Sequence, residues 1–215
     1  MRTIWPSGHS IHGMRKSLED IRTEIAQVNA EAEWLCDELT DEQLAWRPAP
    51  NCWSIAENLS HLNLTTQVFL PVVDRAMEEG RRDNLLGEGP FELGIGGRIF
   101  VWYVEPPPKL RLPAPKLIRP VLQGPAVEAL PQFLRSQELL FQRVDLAEGL
   151  DCSRIKFRSP LSAMVKMNLI SFFAVGTGHQ RRHLAQAAGV KTRISGRIEG
   201  GRTNRPGLRN GTYAE

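Results

Sequence analysis

Cysteine is scarce in this chain: three residues, Cys36, Cys52 and Cys152, widely spaced and without a C-x-x-C pair. An odd, scattered set of that kind excludes a disulfide framework and points to a reducing cytoplasm. Long apolar runs are also missing. Nothing approaches the ~20 residues of a membrane span, and the opening MRTIWPSGHS lacks the basic-then-apolar pattern of a secretion signal. Excess charge is small, +3 over 215 residues, and much of the basic excess lies in the C-terminal tail. That is too little to argue for a nucleic-acid partner. There is no HExxH, so no built-in glutamate base of the metalloprotease kind. A pair of Glu-x-x-His motifs is lacking too, which argues against a di-iron carboxylate bundle. What is present is ordinary for a soluble globular protein: 41% hydrophobic and 24% charged residues, long enough for one sizeable core.

Helical periodicity organises most of the chain. Leu18, Ile21, Ile25, Val28, Ala32, Leu35 and Leu39 recur every three or four residues and predict a helix from about Gly13 to Leu39. A second helix begins near Trp53, where Ser54 and Glu57 resemble a capping box. Its main stripe is Ile55, Leu59, Leu62, Thr66 and Phe69, and Pro71 marks a kink or a boundary. Residues 80–125 form a long Gly- and Pro-rich connection, with a PPP run at 106–108 and an apolar IFVWYV that reads as a short helix or a strand-like pad. GIGG at 94–97 lacks the context of a nucleotide loop and reads as a turn. Val127, Leu130, Leu134, Phe141 and Val144 predict a third helix whose stripe Gln137 interrupts. Val165, Leu169, Phe172, Gly176, His179, His183 and Gln186 step by four and three along a fourth, with Gly189 as its stop. The reading is all-α: one four-helix bundle over residues 1–190, followed by an Arg- and Gly-rich tail over 191–215.

The fourth helix carries the chemistry. Its seam changes from Val, Leu and Phe to Gly, His and His, so His179 and His183 point inward one turn apart. A buried imidazole needs a partner, and a divalent metal or neighbouring hydrogen bonds would each supply one. His61 offers a third imidazole from the second helix, although it sits about 100–120° around from the main stripe. Glu57 precedes His61 by one turn and is a candidate to orient it, or simply a cap. Gln186 stands near His183, either bonding a ligand or ending the helix. Arg181 and Arg182 read as solvated or paired with acids. Cys52, at a helix start, reads as an inert thiol, and His9 and His12 as surface residues. Trp34, Trp46 and Trp53 read as packing that closes one end of the bundle.

Three phrases together carry a family resemblance. LTDEQLAWRPAPNCWSIAENLSHL resembles the R-P-x4-W-S-x-x-E-x-L-x-H-L phrase of the DinB/YfiT-like superfamily of metalloenzymes, through Arg47, Pro48, Trp53, Ser54, Glu57, Leu59, His61 and Leu62. GHQRRHLAQ resembles the family's H-x3-H-x-x-Q, through His179, His183 and Gln186. VEPPPKLRLPAPKLIRP is similar to the long middle connection of one branch. The resemblance spans about residues 14–190 and leaves the tail outside it. It implies an up-down-down-up bundle, commonly a homodimer, with a divalent metal ion, zinc or nickel, held by His61, His179 and His183. Relatives include S-transferases and an isomerase that use a low-molecular-weight thiol such as bacillithiol or mycothiol. Some thiol users carry Glu where this chain has His179, which sets the isomerase branch aside. Despite the family name, nothing here resembles a DNA polymerase.

The functional expectation is a metal-dependent enzyme that activates a thiol, S-transferase-like, or a water, hydrolase-like, against a small-molecule substrate. The competing expectations are a non-catalytic, metal-stabilised stress or interaction protein, and a histidine-containing bundle without metal. No nucleic acid or membrane partner is expected.

Overall fold

The computed structural model of the protein describes residues 15–106 and 113–203. His9, His12, two of the three prolines of PPP and the tail beyond 203 lie outside them. Helix α1, Leu18–Cys36, opens on a capping box in which the Ser17 hydroxyl accepts from the Asp20 N–H and the Asp20 carboxylate accepts from the Ser17 N–H. A short α2, Asp41–Ala45, repeats the device with Thr40 and Gln43. The long α3, Ile55–Arg82, does so with Ser54 and Glu57, and continues through Pro71. Helix α4, Ile95–Val104, is IFVWYV with the GIGG segment at its start. Single 3-10 turns at Lys116–Ile118 and Ala126–Glu128 lead into α5, Ala129–Leu146, and α6 runs from Leu169 to Thr203. Among the described residues, two small antiparallel pairs of strands accompany the helices. Strand β1, Arg15–Lys16, pairs with β2, Phe91–Glu92; β3, Lys156–Ser159, forms a hairpin with β4, Ser162–Asn168.

The helices α1, α3, α5 and α6 form the bundle, and cross-links between them fix their directions. Near the start of α1, Arg22 pairs with Asp145 and Glu148 at the end of α5, so those two run antiparallel. Asn63 with Ser136, and Asp74 with Arg143, make α3 and α5 parallel. Phe69 faces Phe172 while Asn58 faces His183, so α3 and α6 oppose each other. Arg181 meets Glu24, and Lys191 reaches the Trp34 carbonyl, so α6 runs with α1. The order is up-down-down-up. Leu18, Ile21, Ile25, Val28, Ala32 and Leu35 line the inner face of α1, as their spacing predicts. A polar layer crosses between two apolar clusters, one around Phe133 and Leu184, the other around Phe173 and Val73.

Several expectations change. The chain before Asn168 is a β-hairpin rather than helix, so Val165 lies on β4. The Asn168 side chain caps α6 by accepting from the Ser171 N–H. Gly189 does not end α6; Val190 and Ile194 beyond it are buried against α1, and the boundary expected at 190 falls inside a helix. On α5 the buried face is Phe133, Gln137, Leu140 and Val144. Gln137 belongs to that face, because it and Gln180 on α6 exchange amide hydrogen bonds, while Val127 is exposed. Gly97 is not in a turn. It lies in the first turn of α4, where a Cβ would collide with Ser171 of α6, so glycine lets the two helices touch.

Candidate metal centre

His61 projects from the second turn of α3, His179 and His183 from the middle of α6. Antiparallel packing brings the three together, with one ligating nitrogen from each within 4.8 Å of the others. The rings are close-set: His61 to His183 4.5 Å between centroids, His179 to His183 4.6 Å, and His61 to His179 5.2 Å. His61 and His183 are buried, at 2% and 7% exposure; His179 is partly exposed. Trp53, half-buried, closes one wall, with its ring 4.9 Å from His61 and nearly parallel to His183 at 5.7 Å. Of the three tryptophans, this one lines the site. Trp34 is exposed under the Lys191 ammonium, and Trp46 lies under Arg197.

Hydrogen bonds decide which nitrogen each ring presents. His61 Nδ1–H donates to the Ile118 carbonyl at 2.6 Å. His183 Nδ1–H donates to Asn58 Oδ1 at 2.9 Å, and Asn58 is itself oriented because its Nδ2 donates to the Ser54 carbonyl. Both rings therefore direct the Nε2 lone pair into the cluster, the arrangement by which outer partners orient histidine ligands. His61 Nε2 and His179 Nε2 stand 3.4 Å apart. Two imidazole nitrogens sharing an ion at about 2.0–2.1 Å would have nearly that separation. Burial, with the neighbouring rings and the Arg182 cation, holds the His179 imidazole down to about 3 and His183 well below the ordinary value. Burial also lowers His61. Neutral imidazoles are the form that binds metal, so this donor set fits a divalent ion.

The other candidates sit elsewhere. Glu57 is buried but turns away from His61. Its carboxylate accepts from the Arg47 guanidinium and, at 2.9 Å, from the Ser54 N–H. Burial alone would raise that carboxyl; Arg47 and Ser54 outweigh it and hold it below the usual range. Gln186 is exposed, one turn past His183. Arg181 and Arg182 are buried rather than solvated. Arg181 pairs with Glu24 and Glu105, while Arg182 donates to the Tyr103 carbonyl with its guanidinium over that ring. Burial pushes the Cys36 and Cys152 thiols up to about 11 and 12, leaving them poor nucleophiles at neutral pH. Asn58 and the Ile118 carbonyl were not foreseen. Asn58 left one signal: an asparagine in a helix interior, three residues before His61.

Fold and site together define a helical-bundle protein whose three converging histidines have the geometry of a divalent-metal site. The chain belongs to the DinB superfamily, whose family model matches residues 24–187. Among solved structures it is similar to YfiT from Bacillus subtilis, described as a probable metal-dependent hydrolase with an unusual four-helix bundle topology. The two share 12% identity and a TM-score of 0.54, over 90% of this chain and 94% of that one. No curated protein matches the sequence. Among the described residues, no helix is long and apolar enough to cross a membrane.

Proposed function

We propose that this protein is a metal-dependent enzyme in which His61, His179 and His183 hold one divalent ion, zinc or nickel, to activate a small nucleophile. The observation that supports it is the set of hydrogen bonds behind the rings. Ile118 and Asn58 occupy the Nδ1 positions of His61 and His183 and leave the Nε2 atoms for one shared centre. Such an ion, bound by three neutral ligands, keeps its full charge and lowers the pKa of a thiol or a water beside it.

A low-molecular-weight thiol is the leading nucleophile, and S-transfer to a small electrophilic substrate the leading reaction. Glu57 is tied to Arg47 and Ser54, so it is not placed to take a proton from water. A thiol, with an ordinary pKa of about 8.5, needs no such base. The thiol would come from outside: Cys36 and Cys152 are held protonated by burial, and Cys52 is not in the group that the three histidines form. Trp53 supplies an apolar wall that excludes water from one side. Hydrolysis is the second reading, supported by the likeness to YfiT. A reducing cytoplasm suits three free cysteines. A homodimer is part of the same proposal: Ile95, Ile99 and Trp102 leave an exposed apolar stripe along α4, and a two-fold pair uses one such patch twice.

Untagged protein analysed for metal should carry one divalent ion per chain and lose it in His61→Ala. A preparation without metal, whose melting ignores chelator, would sink the proposal. With metal present, thiol-dependent consumption of electrophiles supports S-transfer, and turnover without thiol supports hydrolysis. Inactivity in both screens would favour a structural metal.

A further inference from the structure

The stretch from Pro113 to Pro125 crosses the outside of α3 as a strap. Two bonds from consecutive residues hold it there: His61 Nδ1–H to the Ile118 carbonyl, and the Ser60 hydroxyl to the Val121 carbonyl at 3.3 Å. Ile118 is buried, but its neighbours Lys116 and Arg119 are exposed and turn into a groove of about 330 Å³ between strap, α3 and the start of α5. That volume is at the small end of metabolite sites. Two cations line it and no acidic residue does, so its field favours an anion. Its floor is polar. Asn63, 8% exposed, uses its carbonyl oxygen to accept from Ser136 and from Gln67 at 3.3 Å. With its oxygen so engaged, the Asn63 amide nitrogen is the donor it can offer to a ligand in the groove it lines. Arg119 is held in place through Nε, which donates to the Ala114 carbonyl at 3.1 Å.

We propose that this groove binds a small metabolite bearing an oxyanion, carboxylate or phosphate, and that its occupancy steadies Ile118 and so tightens the histidine cluster. The cations hold the oxyanion and Asn63 donates to an acceptor on the ligand body. Ile118 lies between the two cationic residues in sequence and is the direct partner of His61, so the groove and the cluster share one short piece of backbone. Coupling between two sites is reciprocal: metal at the cluster raises anion affinity by the factor by which anion raises metal affinity. This coupling rests on the metal reading above; anion binding does not.

The test has two arms. First, thermal melting of the metal-free protein is followed with sulfate or acetate against chloride at equal ionic strength, for the native chain and for K116Q/R119Q. The native protein should gain stability from one of the oxyanions, and the variant's apparent affinity should weaken about tenfold, the equivalent of one hydrogen bond to a charged group. The stronger probe tells tetrahedral from planar oxyanion. Equal responses in both proteins overturn the groove. Second, a chelator competes with the protein for metal at equilibrium. The effective oxyanion should raise metal affinity about fivefold in the native chain, the low end of common coupling, and not in the variant. Selective anion binding with unchanged metal affinity overturns the coupling. A chain that loads no metal overturns the function proposed above, and the melting arm still decides the groove.

Discussion

Asn58 is the residue on which the geometry of His183 turns. Its Oδ1 holds Nδ1–H of the ring, and its own amide is fixed by the Ser54 carbonyl. Asn58→Ala removes the acceptor and leaves His183 free to rotate or to change tautomer. Metal affinity should fall about 10- to 100-fold, as it does when such outer partners are lost, with little change in far-ultraviolet circular dichroism. Chelator competition measures it; an unchanged affinity would show that packing alone orients the ring. Arg47 poses the complementary case, since it holds Glu57 rather than any histidine. Arg47→Gln should leave metal affinity where it is and cost about 1–3 kcal/mol of stability, because the guanidinium is half exposed but the Glu57 carboxylate it leaves behind is buried. A large loss of metal in that variant would return Glu57 to the role that its position one turn before His61 first suggested.

Between helices, two contacts decide packing. Gly97→Ala puts a methyl group into Ser171 where α4 meets α6, and overpacking of that kind costs about 1–3 kcal/mol; urea unfolding should show the loss. On the polar layer, Gln137→Leu strands the Gln180 amide and should cost about 1–3 kcal/mol, whereas replacing both by Leu should recover most of it. The same contacts explain what the chain disclosed before folding. The α1 stripe and the Ser54–Glu57 box rest on neighbours three and four residues apart, and both were legible. The His61, His179 and His183 set was legible through seam and resemblance together. The Ile118 partner was not, because a backbone carbonyl 57 residues from His61 has no side-chain signature. Gln137 was misjudged for a related reason: glutamine on a buried face looks like an interruption until Gln180 on another helix satisfies it. The hairpin before α6 hid because Val165 happens to fit a helical step from Leu169.

Across the whole molecule, one charge cluster ties the N-terminal strand to three helices. Glu24 on α1 accepts from Lys16 of β1 and from Thr177 of α6, and meets Arg181 of α6 at 3.3 Å; Arg181 in turn holds Glu105 at the end of α4. Burial by itself would raise the Glu24 carboxyl, but Lys16 and Arg181 outweigh it and keep it below 4.5. The sign then follows. A depressed folded pKa means that near and below 4.5 the unfolded chain takes up a proton which the folded chain still refuses. The stabilisation is complete above the unfolded value and is lost as pH falls through the folded one. Glu24→Gln removes the charge at every pH while Glu105 continues to serve Arg181. The variant should be less stable than the native protein by about 2 kcal/mol at pH 7, in the range for losing a hydrogen-bonded charge partner. The gap should narrow once the pH drops below 4.5 and close when the native carboxyl is protonated. Urea titrations of both metal-free proteins from pH 7 to pH 3 measure that difference directly. A gap that stayed constant with pH would mean that Glu24 acts through shape and hydrogen bonding, and that its charge does not hold these four elements together.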